Sequence, residues 1–170
     1  DNSLCKIGEL LNINKDEFMI GPSTTMNMFL LSNAIKTWLK KDDEIIVTNQ
    51  DHEANIGAWR KLSEYGVKIR EWQFNPNTAD LEIDELKRLI SKKTKFICVC
   101  HTSNVVASIN NLKEIISLAH DNDIKVVGDG VAYMAHDIVD LKDLDIDFYG
   151  FSLYKTCLLY TSPSPRDMPR

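Results

Sequence analysis

The chain has 170 residues, 44% of them hydrophobic and 26% charged, which is enough for one sizeable core and excludes general disorder. Its net charge of -5, with pairs such as Lys40-Lys41 and Lys92-Lys93 lying beside acids, excludes a phosphate-backbone partner and hence nucleic acid. No apolar stretch approaches the roughly 20 residues that a membrane span requires, and the first residues are polar rather than those of a signal peptide, so no membrane partner and a cytoplasmic location are expected.

Short β-branched runs alternate with amphipathic stretches along the chain. The pattern predicts a strand over Phe18-Met19-Ile20, a helix from Thr24 to Lys40, a strand over Ile45-Ile46-Val47-Thr48, a helix over Glu53 to Tyr65 and a strand from Val67 to Phe74. It continues with a helix near Ile83 to Ser91, a strand over Phe96 to Cys100, a helix over Leu112 to Asn122, and strands over Ile124 to Val127 and Phe148 to Phe151. That order predicts a three-layer αβα domain with a mostly parallel central sheet, covered by helices on both faces and without a second domain. The composition changes abruptly after Thr156: residues 157–170 carry Pro163, Pro165 and Pro169 and fit no helix or strand period. A domain over 1–156 and a foreign or disordered tail over 157–170 are expected. Cys5, Cys98, Cys100 and Cys157 show no CxxC spacing, Cys98 and Cys100 share one strand face, and all four read as buried reduced thiols.

In a parallel αβα sheet, ligands sit outside the carboxyl ends of the strands, so the residues just beyond each strand are the candidates. They are Ser23-Thr24-Thr25, Asp51-His52-Glu53, His101-Thr102-Ser103-Asn104, Asp129, and Ser152 to Lys155. A lysine can condense with a cofactor aldehyde, and an acid at a neighbouring strand end can hold a ring nitrogen protonated, so Lys155 with Asp129 points to pyridoxal 5'-phosphate. Ser23 and Thr24 open a helix whose free amides suit a phosphate, although they equally suit a plain N-cap. Ser152 is a further phosphate donor or a loop hydroxyl. His52 is a stacking and proton-handling ring, or a surface or core histidine. Asn104 is a donor to the ring oxygen or a turn residue, and Asp129 alone also reads as a helix cap or a metal ligand. No His, Cys and acid set at ligand spacing supports a metal. His101, His120 and His136 are assigned mainly to structure, with His136 at the site margin.

These landmarks, taken together and in order, resemble the large domain of the class V aminotransferase family, a pyridoxal phosphate fold of type I, and are most similar to its cysteine desulfurase and selenocysteine lyase-like branch. They are Gly21-Pro22-Ser23-Thr24-Thr25-Met26-Asn27, Asp51-His52-Glu53-Ala54-Asn55-Ile56, His101-Thr102-Ser103-Asn104-Val105, Val127-Gly128-Asp129-Gly130-Val131 and Phe151-Ser152-Leu153-Tyr154-Lys155-Thr156. The resemblance implies Lys155 as the Schiff-base lysine, His52 as the stacking ring and Asp129 as the partner of the pyridinium. It also implies Asn104 at the ring oxygen, and Ser23, Thr24 and Ser152 at the phosphate. Two departures stand out. Desulfurases commonly carry a glutamine three residues past the aspartate, where Tyr133 is read as its replacement, and a histidine directly before the lysine, where this chain has Tyr154.

The resemblance further implies a small amino-acid substrate, cysteine or selenocysteine, and a homodimer. It also implies a carboxy-terminal domain, carrying the substrate-binding arginine and the sulfur-accepting cysteine, beyond these residues. The alternatives are an aminotransferase or a kynureninase-type lyase on the same fold, or a chain that is non-catalytic by itself.

Overall fold

A computed structural model describes residues 2–156; the expected tail over 157–170, with Cys157, lies outside them. The apolar β-branched runs form strands because helices cover both of their faces. Strand β1 (Glu44–Thr48), β3 (Thr94–Cys100) and β4 (Lys125–Asp129) are buried along almost their whole length, whereas β2 (Lys68–Trp72) and the short β5 (Phe148–Gly150) form the two edges. All neighbours pair in parallel, in the order β2-β1-β3-β4-β5. Successive strands run outward on one side of β1 and then on the other, so β1 and β3 form the switch point, beyond whose carboxyl ends sheets of this kind bind ligands.

The alternation of side chains across the sheet separates two cores. On one face Ile46, Ile97, Val99 and Val126 meet Leu11 of α1 (Asn2–Leu11), Leu86 of α4 (Ile83–Leu89), and Leu112, Ile115 and Ile116 of α5 (Leu112–His120). On the other, Ile45, Val47, Phe96, Cys98 and Val127 meet Met28 and Ile35 of α2 (Thr24–Ile35) and Ile56 and Trp59 of α3 (Glu53–Arg60). A one-turn α6 (Leu141–Leu144) leads into β5. Asp147 then fixes that edge, accepting from Lys125 Nζ at 2.7 Å and Val126 N at 2.9 Å and pairing with His120 Nε2 at 3.0 Å. His120 is thus structural, at the amino ends of the strands. Among the described residues no helix is long and apolar enough to cross a membrane.

Several expectations are corrected. Phe18-Met19-Ile20 forms no strand: Met19 and Ile20 are 69% and 58% exposed. Three apolar residues ahead of Gly21-Pro22 give no alternation to bury, and a proline cannot donate to a ladder. The helix expected to Lys40 ends at Ile35 and tightens into a 3-10 turn over Lys36–Trp38, and the one expected to Tyr65 does the same after Arg60. Cys5 is exposed, because it lies on the outer side of α1; Cys98 and Cys100 are buried and free as expected.

Candidate active site

The expected residues gather at the carboxyl rim of β1, β3, β4 and β5, beside the start of α2. Asp129 closes β4 and is 5% exposed. Its Oδ1 accepts from Val131 N at 2.8 Å, and among the described residues nothing donates to Oδ2. Burial raises the Asp129 carboxyl above its ordinary range, opposed by the Val131 amide and by the nearby His52 and Lys155. His52 and Lys155 therefore each lie within electrostatic reach of Asp129.

His52 is exposed and caps α3, its extended backbone letting Nδ1 accept from Ala54 N at 3.0 Å. An accepting Nδ1 leaves the ring proton on Nε2. Lys155 is exposed in a turn closed by its own N–H to Ser152 O at 3.1 Å. The Ser152 hydroxyl, half-buried, has no hydrogen bond among the described residues. Ser23 is the N-cap of α2, accepting from Met26 N at 3.1 Å, and Thr24 Oγ1 donates to Phe151 O at 3.2 Å. The capping reading is therefore realised at Ser23, and the Thr24 bond ties the start of α2 to the strand that leads to Lys155.

Asn104 sits exposed at the tip of a loop after β3. Ser103 shapes that loop, donating to Gln50 O at 2.7 Å and accepting from Val105 N and Val106 N at 3.2 Å, while the Asn104 side chain has no partner among the described residues. His136 is exposed and makes no side-chain bond there.

Tyr133 does not stand in for the expected glutamine. The residue three past Asp129 is Ala132; the Tyr133 ring lies flat on His101 at 3.5 Å between centroids, and its hydroxyl turns to Asp137 at 3.4 Å. His101, 8% exposed, shares a 2.9 Å hydrogen bond with the Tyr149 hydroxyl through Nδ1. This His101, Tyr133 and Tyr149 cluster escaped the sequence reading, which assigned His101 mainly to structure; its position directly after β3 was the available signal.

Burial pulls the His101 imidazole down to about 4, with Asp137 opposing the shift. A folded pKa below the ordinary 6.5 means that folding disfavours the imidazolium, so this contribution to stability is present above pH 6.5 and is lost as the pH falls towards about 4. Urea unfolding across that window is expected to show a shallower acid loss for His101→Gln than for the parent.

Gly130 gives the Tyr149 ring its place: a Cβ there would collide with the ring carbon and hydroxyl. Gly130→Ala is expected to displace Tyr149 from His101 and to cost about 1–3 kcal/mol of stability by overpacking, read by urea unfolding. An unchanged midpoint would show that the ring moves freely.

The model of the class-V aminotransferase family matches residues 2–158. The aminotransferase-like protein FGM3 of Gibberella zeae is 36% identical over 159 residues, which cover 91% of this chain and 39% of that protein. The cysteine desulfurase-like protein ustD of Aspergillus flavus is 40% identical over 157 residues, covering 88% of this chain and 36% of that one. Among solved structures, the cysteine desulfurase CsdA of Escherichia coli superposes with a TM-score of 0.85 at 28% identity, over 90% of this chain and 39% of that chain. The chain thus spans about two fifths of the length of these proteins. A parallel αβα sheet with these residues at its carboxyl rim, matched along nearly its whole described length, places the chain in the class-V aminotransferase family.

Proposed function

We propose that residues 1–156 supply the cofactor-binding part of a pyridoxal 5'-phosphate enzyme of cysteine desulfurase or selenocysteine lyase type, acting on a small amino acid. The observation that carries this reading is Asp129: a buried carboxylate with one oxygen free of donors among the described residues, within reach of an imidazole and an amine. That donor set fits the cofactor, since the free oxygen suits a protonated ring nitrogen and the amine suits an aldehyde. When bound, pyridoxal phosphate supplies an electrophilic carbon and a ring that accepts electron density from the substrate's α-carbon.

The chain's own residues do the rest. Lys155 would hold the cofactor through its amine and, once the substrate's amino group has displaced it there, would be free to act as base for the α-proton. Asp129 keeps the ring nitrogen protonated. His52 offers a ring whose Nε2–H faces away from its capped Nδ1, suited to stacking and to moving a proton. Asn104 donates to the ring oxygen, and the free amides of α2 with Ser23, Thr24 and Ser152 hold the phosphate. The reading places the longer protein in the cytoplasm as a homodimer. Its support is the pair of buried free cysteines and the exposed stripe of Met26, Phe29 and Leu30 on α2. The chain by itself is read as inactive. Transamination on the same residues is the second reading, favoured by the aminotransferase-like relative.

Equilibrium dialysis of pyridoxal phosphate against the chain and against Asp129→Asn tests the assignment. Asparagine keeps the Val131 bond and removes the charge. A charge-assisted hydrogen bond worth about 1.5–3 kcal/mol predicts affinity weaker by about 10- to 100-fold. Equal affinity would contradict the role of Asp129.

A further inference from the structure

Three loops of the rim meet on one buried side chain that the proposed site does not use. Gln50 lies two residues past β1 and is fully buried. Its Oε1 accepts from Asn110 Nδ2 at 3.0 Å, and its Nε2 donates to Ala79 O in the loop between β2 and α4. The Gln50 main-chain oxygen accepts from Ser103 Oγ at 2.7 Å, and Ser103 Oγ in turn accepts from Val105 N and Val106 N at 3.2 Å. Ser103 is 2% exposed. Ser108 Oγ donates to the same Ala79 O at 2.7 Å, and Asn110 N donates to His101 O at 2.8 Å, which closes the loop over 101–110 on itself. Ala107 within that loop has φ 59° and Ala79 has φ 64°, left-handed backbone that persists in alanine where the surroundings impose it.

This unit joins the two loops that carry candidate cofactor residues. His52 follows Gln50 by two positions, and Asn104 follows Ser103 directly. Asn104 is exposed and its side chain has no partner among the described residues, so its backbone alone aims it. A loose backbone would have to be ordered when a ligand binds, and that lost entropy weakens binding. We propose that Gln50 and Ser103 are positioning residues, a hydrogen-bonded clamp that sets the Asn104 loop against the His52 loop and holds the Asn104 amide ready for its acceptor. His52 keeps its own cap on α3, so the Asn104 loop is the one that moves when the clamp is cut. That the acceptor is the cofactor's ring oxygen rests on the pyridoxal phosphate reading, whereas the clamp itself does not.

Gln50→Met in the full chain keeps the bulk of the side chain and removes both of its hydrogen bonds. Each partner retains another bond, Asn110 Nδ2 to Cys100 O at 2.8 Å and Ala79 O from Ser108 Oγ, so the variant is expected to fold. Without cofactor, hydrogen exchange at Val105 N and Val106 N is expected to quicken by about tenfold or more, towards the rate of an open loop, while β1 and β3 exchange as in the parent. With pyridoxal phosphate, equilibrium dialysis is expected to show affinity about 5- to 30-fold weaker, and no further loss when the same change is made in Asn104→Ala. Should Gln50→Met fail to fold, Ser103→Ala, which removes the hydroxyl alone, is read by the same two measurements. Unchanged exchange at Val105 and Val106 overturns the clamp. Unchanged affinity, or an equal loss with and without Asn104, overturns the positioning role. Faster exchange with no saturable binding by the parent overturns the cofactor reading and leaves the clamp standing.

Discussion

Lys155→Ala is expected to abolish covalent fixation of pyridoxal phosphate by borohydride, while the variant folds as the parent does. The lysine is exposed, its turn is closed by main-chain atoms that alanine retains, and its neighbour Thr156 donates through Oγ1 to Leu153 O at 2.9 Å. Among the described residues nothing in the packing depends on the exposed Lys155 side chain, so a change in labelling reports chemistry rather than collapse. Other exposed lysines react slowly with an aldehyde and give a low, unsaturable background. A lysine beside a buried acid and an imidazole, with helix amides to seat the phosphate, gives saturable labelling at one equivalent. Undiminished labelling of the variant would count against the assignment.

Trp59→Ala carries the largest expected loss of stability. The indole is fully buried on α3, stacks with Phe96 at 6.3 Å between centroids, and donates from Nε1 to Asn55 Oδ1 at 3.2 Å. Truncation removes a large apolar surface and leaves a cavity, costing about 3–5 kcal/mol. It also orphans a buried acceptor, which adds about 1–3 kcal/mol. The same Asn55 donates to Asp51, so the loss reaches the rim through one amide. Trp59→Phe keeps most of the ring and is expected to lose far less. Urea unfolding separates these cases, and similar midpoints for the two variants would show that burial of the indole is not what holds α3.

The sheet was legible because its central strands are fully buried, so that Ile45-Ile46-Val47 and Phe96 to Cys100 appear as continuous apolar runs between amphipathic stretches. The same signal misled at Phe18-Met19-Ile20, where a run of equal character has no neighbouring strand to pair with. Helix α1 went unread although Leu4, Ile7 and Leu11 recur at helical spacing. The rim was legible as far as chemistry-bearing residues directly follow strands: His52 and Lys155 do each come within electrostatic reach of Asp129. Asp51 was quoted within its motif but given no role, and its burial is not a property that the motif itself displays. Tyr133 lies four residues past Asp129 and not three, so its place gave no ground for a substitute amide; stacking on a distant histidine decides where the ring lies.

The most direct measurement is a peptide map of the chain after saturation with pyridoxal phosphate and borohydride reduction, asking which side chain carries the reduced cofactor. The account predicts a stoichiometric label on the peptide that contains Lys155 and only traces elsewhere. A label spread over surface lysines, or concentrated on another one, would contradict it.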